Sequence, residues 1–178
     1  MGAAARIDRG RCLPPAQRVL TPDGYRPIAA VDARAAVVTG LGRVRWVVGV
    51  HNRQADEPLH HLRTARGNVL RATGEHPVLA RRQEGLPEWV PAGALRAGDL
   101  VAIFGLTSLG GWPRGQRDPA RGGPALAVRE DAETYLGLDW VPLETAEAAP
   151  YCGLVYDLDV EEGHSFVSEG LVLRALSL

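Results

Sequence analysis

Glycine and proline punctuate this 178-residue chain at 21 and 13 positions, so densely that few uninterrupted stretches could hold a helix of ordinary length. Between the breaks stand short apolar and β-branched runs: RVL, AAVVTG, RVRWVVGVH, NVLRAT, LVAIF, GLVYDLDV, SFVS and LVLRA. Many such runs separated by turn residues predict an all-β domain with a curved or closed sheet system. In TPDGYRPI, Thr21 to Ile28, Pro22 presets φ and Gly24 tolerates positive φ, so the stretch reads as a hairpin joining RVL to YRPI. LRAGDLVAI, Leu95 to Ile103, reads the same way, with Gly98 at the turn. Helix signals are confined to WVPAGAL and REDAETYLGL, each sufficient for a turn or two. From Gly105 to Gly123 the chain is too rich in Gly, Pro and Arg to hold a core and is expected to be a surface loop of disorder-prone composition.

The length suits one domain with its own core. Twenty basic residues, all arginine, against 21 acidic ones leave a net charge of −1, which gives no support to nucleic-acid or anionic-membrane binding. No apolar run approaches the roughly 20 residues of a membrane helix, and MGAAARIDRGRC lacks the apolar centre of a secretory signal. A cytoplasmic monomer is therefore expected. Cys12 and Cys152 make no disulfide framework and no metal-ligand pair, and Cys152 is expected to be a small buried residue. His60 and His61, being adjacent, would point to opposite faces of a strand, so they are not expected to form a zinc site with His76. Neither metal nor cofactor is expected.

Three separated stretches carry chemistry in combination. GRCLPPAQRVLTPDGYRPI places Cys12 ahead of the first hairpin. GNVLRATGEHPVLAR contains Thr73 and His76, and GLVYDLDVEEGHSFVSEGLVLRA contains Asp157 and His164. Taken singly, these are a free thiol, a turn threonine, a strand-end histidine, an outward strand aspartate and a loop histidine. In this order they resemble the Hint domain, the self-processing module shared by inteins, bacterial intein-like domains and the autoprocessing region of hedgehog proteins. The resemblance runs from Cys12 almost to the end, and EWVPAGALRAGDLVAI is similar to the segment that follows Thr-x-x-His in that family.

The resemblance implies a horseshoe of curved antiparallel sheets with one or two short helices. It implies a domain over residues 12–175, with residues 1–11 as flanking substrate and 176–178 as a flanking tail. It also implies that the Cys12 thiolate attacks the carbonyl of Arg11 and exchanges an amide for a thioester. In that chemistry His76 protonates the departing nitrogen and Thr73 orients the peptide. Asp157 accepts the thiol proton or anchors the protonated state, and His164 assists the C-terminal steps. The substrate is the chain's own flanking sequence, and the acyl acceptor is water or a thiol or amine.

The pattern breaks at the end. Arg174 and Ala175 occupy the His-Asn positions of a splicing intein, and Leu176 stands where the next nucleophile belongs. Alanine has no amide to cyclise and leucine cannot receive an acyl group, so splicing is not expected. Three readings stay open: thioester-dependent N-terminal cleavage, a splicing parent inactivated at its C-terminal end, or a decayed fold kept as a binding module. The span Phe104 to Ala149 is too short for the homing endonuclease that many inteins carry, and Glu130 to Leu143 reads as a connecting segment, with a degenerate remnant of such an endonuclease as the alternative. A family branch that begins from cysteine at the Asp157 position is excluded by Asp157 itself. The stretch VHN, Val50 to Asn52, resembles an intein ending but precedes Thr-x-x-His, and is expected to be coincidental.

Overall fold

The computed structural model describes residues 10–82, 85–105, 138–162 and 164–176. Its strands are β1 (Arg18–Thr21), β2 (Gly24–Pro27), β3 (Ala36–Val38), β4 (Val44–Asp56), β5 (Leu59–Thr64), β6 (Val69–Thr73) and β7 (Pro77–Arg81). They continue with β8 (Glu88–Pro91), β9 (Leu100–Ile103), β10 (Asp139–Ala149), β11 (Cys152–Val160), β12 (Ser165–Ser168) and β13 (Leu171–Arg174). Among the described residues the helical content is two 3-10 turns, Ile28–Ala30 and Ala92–Ala94. The fold is all-β, as the density of chain breaks requires.

A large antiparallel sheet runs in the order β2-β1-β12-β13-β7-β9-β10-β5-β6, with β8 added to β7. A second sheet runs β11-β4-β3. The first hairpin forms as expected: Thr21 pairs with Gly24, whose φ of 113° suits glycine, and the Thr21 hydroxyl closes the turn on the Gly24 carbonyl at 2.7 Å. The turn before β9 likewise has Gly98 at φ 94°.

The central strands are covered on both sides. Phe166, Leu173, Val78 and Val101 belong to one core, while their chain neighbours Val167, Val172, Leu79 and Ala102 belong to another. Period-two alternation sends successive residues to opposite faces, so each of these strands serves as a wall between two apolar layers. This explains why SFVS and LVLRA are short yet almost fully buried.

Three expectations need correction. WVPAGAL divides equally between the end of strand β8 and a single 3-10 turn, because Trp89 and Val90 are drawn into pairing with Leu79 and Val78 and only the second half stays helical. Asp139–Leu143, read as part of a connector, begins the eleven-residue strand β10, which pairs with β9 and then with β5. Cys152 is exposed at the start of β11, with the Gln54 amide 3.9 Å from its sulfur, instead of buried. REDAETYLGL, apart from its last residue, and nearly all of the 105–123 loop lie outside the described residues. No described helix is long and apolar enough to cross a membrane.

Candidate functional site

Strand β11 assembles the site along the edge that β4 leaves open. Leu13 and Tyr156 exchange two backbone hydrogen bonds of 2.8 Å there, which sets Cys12 beside Asp157 on one face. Further along the same edge the Leu176 N–H donates to the Leu158 carbonyl at 3.0 Å, and Leu176 bridges Asp159. The segments that carry Cys12 and Leu176 therefore reach the same edge of β11, anchored at Tyr156 and at Leu158, two strand residues or about 7 Å apart, with Asp157 between these anchor points.

Thr73 grips the first of these bonds. The Cys12 N–H, which belongs to the Arg11–Cys12 peptide, donates to Thr73 Oγ1 at 2.8 Å. The hydroxyl in turn donates to the Gly10 carbonyl, and the Thr73 N–H donates to the Cys12 carbonyl at 2.9 Å. Gly10 is needed for this approach, because a Cβ there would stand 2.6 Å from Glu75 Cβ. The turn after Thr73 is closed by the His76 N–H donating to the Thr73 carbonyl at 3.1 Å, and it is propped from outside by His60. A Cβ on either Gly74 or Gly93 would meet the His60 ring within 3.3 Å.

His76 is fully buried, with its ring edge-on to Phe166 at a centroid distance of 6.0 Å. Burial, followed by the nearby charge of Arg11, pushes its pKa down to about 3. The Arg174 backbone lies close and favours the charged ring, but neither ring nitrogen reaches a hydrogen-bond partner among the described residues. The Cys12 N–H is thus held by Thr73 and not by His76. That is compatible with a proton-donating role, since an amide nitrogen becomes basic only once its carbonyl has been attacked.

Cys12 is buried against Ala55, Val155 and Tyr151. Burial foremost, and then the charge of Asp157, push its thiol up to about 11, against the opposing charge and hydrogen bonding of Arg53. Arg53 is the site residue that sequence reasoning missed. It stands on β4 opposite Val155 and pairs with Glu57, and only the ladder register brings it to the thiol. No local signal distinguishes it from other strand arginines. Asp157 is buried, with Oδ1 accepting the Leu158 N–H at 2.7 Å. His164 contributes its carbonyl, which accepts the Ala175 N–H at 2.9 Å, while the residue itself is exposed with φ 41°. Cys12, Thr73 and Asp157 therefore converge, His76 is tied to them through the turn, and His164 meets the opposite end of the site by its backbone.

No family model and no curated protein matches this chain. Solved structures do. The Ssp DnaB mini-intein variant M86 is 14% identical with a TM-score of 0.66, covering 97% of this chain and 99% of its own. The DnaB intein from Synechocystis sp. PCC 6803 is 14% identical with a TM-score of 0.64, covering 94% and 99%. A bacterial intein-like domain from Clostridium thermocellum is 19% identical with a TM-score of 0.62, covering 93% and 99%. At these identities the likeness is one of fold, and it spans nearly the whole of each molecule.

Proposed function

We propose that this chain, which has the Hint fold of inteins and intein-like domains, is a self-processing domain that transfers the Arg11 acyl group from nitrogen to the sulfur of Cys12. The segment ahead of Cys12 is then released without splicing. The observation that carries this reading is the scissile N–H seated on Thr73 Oγ1 at 2.8 Å, beside a buried thiol and the Asp157 carboxylate. The solved structures that share the fold include inteins and an intein-like domain, and processing of flanking sequence in cis suits this geometry.

The thiol rests protonated at neutral pH. As Sγ attacks the Arg11 carbonyl carbon, Asp157 takes the thiol proton and Arg53 stabilises the negative charge gathering on sulfur. Attack converts the planar amide nitrogen into a basic amine. His76, neutral at rest, takes up the proton released from the thiol once charge has gathered on the attacked carbonyl, and delivers it to that nitrogen as the C–N bond breaks, returning to its neutral form. The proton lost by the thiol balances the one gained by the amine. Water, a thiol or an amine then takes the acyl group from the thioester. At the other end Ala175 and Leu176 supply neither a cyclising amide nor an acceptor, and His164 is left with a role in holding the Ala175 backbone.

Incubation of the 178-residue chain with hydroxylamine or dithiothreitol, followed by intact-mass measurement, should show loss of residues 1–11. Cys12→Ala should abolish the loss, and His76→Ala should slow it by about 10²-fold. A mass unchanged by either nucleophile across pH would reject the proposal and leave the fold as a binding module.

A further inference from the structure

The stretch Val50–His51–Asn52 has no part in the acyl shift, yet it lies at the site. The β4–β11 ladder sets His51 directly across from Asp157 and Gly49 directly across from Asp159. Residues opposed in an antiparallel pair share a face, so Cys12, Asp157 and His51 form a row across three neighbouring segments spaced about 5 Å apart. Gly49 has no side chain, and the imidazole leans into the space left there. A Cβ at that position would meet His51 Nε2 at 3.2 Å, Asp159 Cβ at 3.4 Å and Asp159 Oδ2 at 3.8 Å. His51 is half-buried and Asp159 is buried, so the ring stands between solvent and the Asp159 side chain, on the strand next to the one that carries Asp157.

We propose that His51, with Asp159 beside it, is the base that activates water against the Cys12 thioester, making hydrolysis the built-in fate of the acyl group. The inference rests on the acyl shift described above and adds the identity of the acceptor and of the group that prepares it. Water adds to the Arg11 carbonyl carbon while His51 takes one of its protons, and Asp159 stabilises the imidazolium. The carbon–Sγ bond then breaks, and the sulfur leaves as thiolate and recovers the proton from His51. The leader departs as a carboxylate, its acid proton passing to solvent.

Hydroxylamine needs no base to cleave a thioester, and this separates the two steps. In the full chain, release of residues 1–11 is timed by mass in buffer alone and in hydroxylamine. His51→Gln should lower the ratio of the water rate to the hydroxylamine rate by about 10²-fold. Added imidazole should restore much of the water rate in His51→Gly. Gly49→Ala, whose methyl would press on the ring, should lower the same ratio and serves as the second probe should the His51 variants fail to fold. A proportional fall in both rates would make His51 a structural residue and overturn the proposal, as would no fall in either. Absence of hydroxylamine release from the unaltered chain would instead overturn the acyl shift, and the inference with it.

Discussion

Thr73 saturates the backbone of Cys12 on both sides, accepting from its N–H and donating to its carbonyl. Thr73→Val removes the side-chain half of this grip and strands a buried N–H, which should cost about 1–3 kcal/mol. Denaturant titration in a Cys12→Ala background would measure it, and Thr73→Ser should recover most of the loss. His76 gives a pH signature. Folded, it stays neutral down to about pH 3, whereas the unfolded chain takes up a proton near 6.5. The unfolded state therefore binds the extra proton between these values, and stability falls as pH drops through that window, by at most about 1.4 kcal/mol per pH step of one. His76→Phe in the same background should flatten the decline in denaturant midpoint between pH 6.5 and 4.5. The two thiols should also separate: with Cys12 held at about 11 and buried, iodoacetamide near neutral pH should label the exposed Cys152 first, by about 10²-fold or more, as read by peptide mapping.

The hairpin between β12 and β13 turns on Glu169 and Gly170, with φ of 46° and 87°. A Cβ on Gly170 would also stand 2.7 Å from Asn68 Nδ2, so Gly170→Ala should destabilise by about 1–2 kcal/mol, visible as a lowered Tm. Elements with strong local chemistry were legible in the sequence: the Pro22–Gly24 hairpin, the Gly98 turn and the β-branched runs of β4 and β11. Those decided by distant partners were not. LETAEAA has the composition of a helix, yet β5 pairs with it from Leu143 to Ala149, around a bulge at Glu144, and overrides propensity. EWVP is too short to alternate and becomes a strand only because β7 lies beside it. In the same way Cys12, Thr73 and Asp157 could be named from their order along the chain, while Arg53 could not, because its place depends on the β4–β11 register.

At the scale of the molecule the Arg11–Cys12 and Ala175–Leu176 junctions share an edge of β11 but not a side-chain chemistry. Treatment with hydroxylamine should therefore remove the leader and leave residues 176–178 attached, with no ligated product, and intact mass distinguishes these outcomes directly. The chain also leaves and re-enters the large sheet at one place, since Ile103 and Asp139 are cross-strand partners. A detour that starts and finishes at the same point puts no demand on the span of whatever lies between. Foreign cargo whose own ends meet could be grafted between Gly105 and Leu138, or the stretch from 106 to 137 replaced by a short spacer, with the pairing of β9 and β10 kept as the frame that closes over it.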